Sequence, residues 1–65
     1  MTSKDQLKVI NAGFTIIRAD EHNLLIKMKR DTQLHWVVAM NGFRSKAALR
    51  RKMNELLQNK KYIED

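Results

Sequence analysis

The chain has 65 residues, no cysteine, no proline, two glycines, and thirteen Lys/Arg against seven Asp/Glu, giving a formal net charge of +6. A chain this short forms one domain and buries only about 60% of the surface it exposes when unfolded. Without cysteine, and with His22 and His35 as its only histidines, it has neither a disulfide framework nor a Cys-ligated zinc site to brace it. Its core comes from aliphatic side chains, or is completed by a partner or by a second copy in a homodimer.

A hydrophobic fraction of 43% beside 31% charged residues belongs to a folded domain rather than a disordered tail. The opening Met-Thr-Ser-Lys-Asp-Gln has no apolar leader core, and the longest uncharged stretch, residues 32–43, falls well short of the roughly 20 residues of a membrane span. The expected compartment is the cytoplasm, in keeping with the missing cysteine.

Ser3-Lys4-Asp5-Gln6 reads as a capping box, with the Ser3 hydroxyl on the Gln6 N–H and the Gln6 side chain reaching back. It predicts a helix over 3–12 that Gly13 closes. The period then changes to two. Strands are expected at 14–19, 24–30 and 34–40, joined by polar turns at Asp20-Glu21-His22-Asn23 and Asp31-Thr32-Gln33. Connections this short make an antiparallel meander. Its expected core face collects Ile16, Leu24, Ile26, Met28, Leu34, Trp36, Val38 and Met40. The other face holds Thr15, Ile17, Leu25, Lys27, Lys29, His35, Val37 and Ala39.

Asn41-Gly42 breaks the third strand, and Ser45 caps a last helix expected over 45–59. Leu49, Met53, Leu56 and Leu57 form its apolar stripe, bordered by Arg50 and Lys52, while Arg51 and Glu55 point away with i, i+4 spacing. Tyr62 and Ile63 either fold back on the core or belong to a binding surface. The fold class is α+β: a small two-layer α-β-β-β-α domain whose three-stranded antiparallel meander packs on the C-terminal helix.

The charge is not evenly spread. Residues 42–61 carry Arg44, Lys46, Arg50, Arg51, Lys52, Lys60 and Lys61 against Glu55 alone, which accounts for the whole net surplus. Gly42-Phe43-Arg44-Ser45-Lys46 brings three kinds of anion-binding group together: free first-turn N–H groups, the positive end of the helix dipole, and the cations Arg44, Lys46 and Arg50. Cations at a helix start oppose the macrodipole, so they need a reason other than helix stability. The same residues also serve a purely structural role, in which Gly42 turns the chain, Phe43 packs under the helix and Ser45 caps it.

Other chemistries find little support. The two histidines have no further ligand at metal-binding spacing, and no Ser/His/acid or Cys/His arrangement points to catalysis. No enzyme activity, metal or cofactor is therefore expected. Trp36 could stack on a base, but its alternation with Leu34, Val38 and Met40 makes it a core residue.

The order helix, three-strand meander, Gly, Ser-Lys, basic helix resembles the double-stranded RNA-binding domain, whose second helix opens Ser-Lys-Lys-x-x-x-Lys. Ser45 and Lys46 match that opening and Arg50 stands for the last lysine, while Ala47 replaces the middle one. Leu49, Met53 and Asn54 occupy the positions of the family's small alanines. The Gly-Pro-x-His motif is absent, although His22 lies in the corresponding loop. The resemblance implies phosphate contacts by the start of the last helix.

Gly42-Phe43-Arg44-Ser45-Lys46-Ala47-Ala48 after a Trp-bearing strand also resembles the Gly-Phe-Lys-Thr-Lys-x-x-Ala junction in the arm-site DNA-binding domains of tyrosine recombinases. That likeness implies contacts from an open sheet face, here Thr15, Lys27, Lys29 and His35, in a DNA major groove. The capped N-terminal helix and the lack of an attached catalytic domain depart from that family. A freestanding form suits a regulator from a mobile element.

The function expected from sequence is a non-enzymatic nucleic-acid-binding module for duplex RNA or DNA. Its candidate contacts are Arg44, Ser45, Lys46, Arg50, Arg51 and Lys52, helped by Lys60 and Lys61, with Lys27 and Lys29 on the sheet. Four or five phosphate contacts imply a log–log salt slope of roughly −4. The alternative is a small interaction or inhibitor protein, of the type phages and mobile elements encode, whose basic helix docks an acidic protein and whose tail from Tyr62 adds specificity. An N-terminal helix lying across the sheet face opposite the last helix would cover Lys27 and Lys29 and close the sheet surface.

Overall fold

A computed structural model describes residues 2–30 and 35–65. In chain order the elements are α1 (Ser3–Asn11), β1 (Thr15–Asp20), β2 (Leu25–Lys29), β3 (Val37–Met40), α2 (Lys46–Leu56) and β4 (Tyr62–Glu64). The expected meander is present as β3-β2-β1, with β1 antiparallel to β2 and β2 antiparallel to β3. The proposed turn at Asp31-Thr32-Gln33 and the core position of Leu34 lie outside the described residues.

A fourth strand extends the sheet. Tyr62 folds back beside Thr15, Ile63 beside Ile16 and Glu64 beside Ile17, so β4 pairs parallel with β1. The Thr15 N–H donates to the Lys61 carbonyl at 2.8 Å and the Asp65 N–H to the Ile17 carbonyl at 2.9 Å. α2 ends at Leu56, short of the expected residue 59, because the chain must turn through residues 57–61 to reach that edge.

The start of α1 also differs from expectation. Thr2, not Ser3, is the N-cap, and its hydroxyl accepts from the Asp5 N–H at 3.2 Å. Gln6 is thereby freed from any capping box and turns inward. At the other end Gly13, at φ +96°, forms a Schellman closure. The Gly13 N–H donates to the Ile10 carbonyl at 2.9 Å and the Phe14 N–H to the Val9 carbonyl at 3.2 Å.

Register decides which face each strand residue takes. The Glu21–Leu24 loop sets Ile17 opposite Met28 and Ala19 opposite Ile26. Ile17, not Ile16, therefore joins the α2 side, where Ile17, Ile26, Leu49 and Met53 form the buried cluster. Ala19, Leu24, Met28, Phe43, Leu56, Leu57 and Tyr62 pack around it. Full burial of each such aliphatic contributes about 1.5–3 kcal/mol.

Ile16 is fully buried on the other face. It shares that face with its cross-strand partner Lys29, and Lys29 reaches Gln6 of α1. The two helices thus take opposite faces of the sheet, with α1 over β1 and α2 over β1 and β2.

A bulge corrects the placement of Trp36 and Val38. Met40 pairs with Ile26 and Val38 with Lys27, leaving Ala39 as the extra residue. The extra residue breaks the alternation. Met40 stays on the α2 side, whereas Val38 lies beside Lys27 on the α1 side and is 53% exposed. Trp36 lies there too, near Arg18 and Lys29, and not in the core cluster.

Candidate functional site

Ser45 caps α2 as expected: its hydroxyl accepts from the Ala48 N–H at 3.1 Å. Its carbonyl accepts from the Leu49 N–H at 3.1 Å, so the helix axis is fixed from its first turn. Leu49 and Met53 anchor that axis to the sheet, and the polar positions are left facing outward. The first turn carries no acidic residue.

The cations around this start divide into two groups. Arg44, Lys46 and Arg51 are exposed and form no ion pair with any described residue. Arg50 is engaged: its Nη1 and Nη2 donate to Glu64 Oε1 and Oε2 at 3.0 and 2.9 Å. The hydrogen bonds and the charge of Glu64 raise the Arg50 pKa above its ordinary value. Lys52 Nζ donates to Glu55 Oε1 at 3.0 Å, so Glu55 pairs with Lys52 rather than with Arg51. Lys60 and Lys61 are exposed in the turn after α2 and have no described carboxylate partner.

The structure therefore separates residues that sequence spacing had grouped. Arg44 and Lys46, on either side of the Ser45 cap, and Arg51, in the second turn of α2, are left exposed with no carboxylate partner among the described residues. Arg50 and Lys52 sit beside them already matched to carboxylates, which lowers their worth to an incoming anion.

Lys27 and Lys29 lie on the opposite side of the sheet from α2. Lys27 Nζ is 3.5 Å from Asp20 Oδ2. Asp20 also accepts from the Asn23 side chain at 2.9 Å and from the Asn23 and His22 N–H groups, each at 3.1 Å. The Asn23 side-chain bond is the main cause of its pKa falling to about 2, with the backbone bonds and Lys27 adding to it against the opposing effect of desolvation.

Lys29 Nζ donates to Gln6 Oε1 at 3.3 Å. Gln6 Nε2 donates onward to Asp65 Oδ1 at 3.1 Å, and Arg18 donates to Asp65 Oδ2 through Nε at 2.9 Å and through Nη2. Burial would raise the Asp65 pKa, but the hydrogen bonds from Arg18 and Gln6 outweigh it and hold the group below its ordinary value. This polar clasp joins α1, β1, β2 and the residue after β4. α1 thus takes the face expected to close the sheet surface and restrains Lys29, but it does not bury Lys27, whose side chain stays partly open.

Two residues outside the expected contact set stand on this face. The Arg18 guanidinium lies 4.6 Å and the Lys29 ammonium 5.8 Å from the Trp36 ring centroid, both within cation–π range. Arg18 carried a readable signal as the one charged residue in the strand expected over 14–19. Trp36 did not, since the bulge at Ala39 redirects it.

Among the described residues no group of three or more His, Asp or Glu side chains is placed to hold a metal ion, and no helix is long and apolar enough to cross a membrane. No family model, no curated protein and no solved structure matches the chain.

Proposed function

We propose that this protein is a small non-enzymatic module of the cytoplasm that binds duplex nucleic acid by its phosphates, through the first two turns of α2. The observation that carries the reading is a capped helix start with no acid in its first turn, where Arg44 and Lys46 beside the cap and Arg51 in the second turn are exposed and have no ion-pair partner among the described residues. Arg44 and Lys46 work against the positive end of the α2 dipole, and an external anion offsets that cost. Lys60 and Lys61 extend the positive surface toward the far end of the helix.

Phosphate recognition of this kind fixes position without reading sequence. With Arg50 and Lys52 held by Glu64 and Glu55, three contacts remain, and the expected log–log salt slope on duplex is roughly −3 rather than −4. Fluorescence anisotropy with labelled duplex RNA and duplex DNA, from about 50 to 200 mM salt, tests this. Failure to bind either duplex would favour an acidic protein partner. The tail is poorly suited to that alternative, because Glu64 and Asp65 are both engaged within the fold.

A further inference from the structure

We infer that the half of the sheet left open by α1 is a second binding surface, a stacking platform for single-stranded nucleic acid centred on Trp36 and Val38. The surface lies across the sheet from α2 and does not depend on the duplex reading.

Its layout follows from the register. Arg18 stands opposite Lys27, and Lys27 opposite Val38, so one row across β1, β2 and β3 reads cation, cation, exposed apolar. The adjoining row brings Lys29 from β2 beside Trp36. Rows on one face of a strand are about 6.6 Å apart. α1 covers the β1 end through Ile16 and the Gln6 clasp. The β3 end stays open, with Val38 53% exposed.

The chemistry of this face favours one occupant. In a chain of net charge +6, an exposed apolar residue beside the only tryptophan is ringed by three cations. Asp65 and Asp20 engage Arg18 and Lys27 from the rims, while Lys29 bonds to the neutral Gln6. Three cations against two carboxylates leave this face net positive, which attracts a phosphate chain. Arg18 and Lys29 already lie over the half-buried Trp36 ring at 4.6 and 5.8 Å, so an incoming base stacks on the ring area they leave open and on the exposed Val38 beside it. Single strands present unpaired bases to such a platform, whereas a duplex hides them.

Because the chain has one tryptophan, excitation at the red edge of the indole band reports Trp36 alone. The full-length chain is titrated with ten-residue oligo-dT and oligo-U at about 100 mM salt, where screening is moderate. Saturable quenching is expected, with a slope of roughly −0.7 to −1.4 from one or two phosphate contacts. The quenching should persist in the R44Q/K46Q/R51Q chain, which lacks the α2 contacts. By anisotropy, W36L should weaken single-strand binding by roughly fivefold to a hundredfold for a stacked base. K27Q, a partly exposed change that leaves the core alone, should also weaken it and flatten the slope by roughly 0.7. Absence of quenching with both oligomers, or unchanged affinity in K27Q together with a folded W36L, overturns the inference. So does a Trp36 response to an acidic peptide and not to oligonucleotides, which would give the face to a protein.

Discussion

Arg50 in α2 and Glu64 in β4 form a bidentate ion pair, with both guanidinium Nη atoms donating to the two carboxylate oxygens at 3.0 and 2.9 Å. The pair links the last helix to the last strand. It also places a carboxylate where the duplex reading would put a phosphate, on one of the four cations nearest the helix start.

Removing that carboxylate should therefore free a contact. An exposed pair of this kind is worth about 0.2–1 kcal/mol to folding, so Glu64→Gln should lower stability by no more than that. It should raise duplex affinity by a few-fold and steepen the salt slope by roughly 0.9. Parallel urea melts and anisotropy titrations check the two effects. An unchanged slope would mean that Arg50 takes no part in binding.

The turn at Asp20 carries a pH signature. Its carboxyl falls from an ordinary value of 3.8 to about 2. A depressed carboxylate stabilises the fold above its unfolded pKa, and the contribution fades as pH falls through the folded one. Melting temperatures of wild type and Asp20→Asn should differ at pH 6 and converge between pH 4 and pH 2. The Asp65 carboxyl is also held below its ordinary value, but it is present in both chains, so the difference isolates Asp20. A gap that stays constant across that window would contradict this assignment.

The clasp at Gln6 is a separate case, because Gln6 itself is buried and its two side-chain hydrogen bonds are part-buried. Gln6→Leu keeps most of the side-chain volume but deprives Asp65 of a donor and Lys29 of an acceptor. Hydrogen bonds to charged groups contribute about 1.5–3 kcal/mol. A loss of about that size in urea unfolding is expected. An equal or greater stability would show that apolar packing of α1 alone seats the helix.

Met53 tests the α2 side of the core, where it is fully buried. Truncation of a buried methionine costs about 2–5 kcal/mol. A domain of this length holds roughly 3–10 kcal/mol in total. Met53→Ala should bring the protein close to its unfolding threshold at room temperature, as far-UV circular dichroism would show. A loss below about 1 kcal/mol would mean that the core has repacked around the gap.

What the sequence disclosed was mostly local. The Ser45 cap, the Leu49/Met53 stripe and the Gly13 stop depend on neighbours a turn away, and each is where its pattern places it. Partners distant in sequence were not readable. Glu64 meets Arg50 only because a three-residue strand pairs parallel with β1, a contact that leaves no periodic trace.

Gln6 looked like a capping residue until Thr2 took that role and α1 docked on the far face. Trp36 and Val38 alternate with Met40 as core residues would, and the one-residue bulge at Ala39 parts them. Of the candidate site, the basic cluster was legible from composition. Which cations are spent internally was not, since that depends on where Glu55 and Glu64 reach.

The central claim is that α2 holds duplex phosphates through Arg44, Lys46 and Arg51. The most direct measurement is the salt dependence of duplex binding for wild type beside the R44Q/K46Q/R51Q chain, both checked as folded by circular dichroism. A wild-type slope of roughly −3, lost almost entirely in the triple variant, is the predicted result. A flat dependence in wild type, or an equal slope in the two chains, would contradict it.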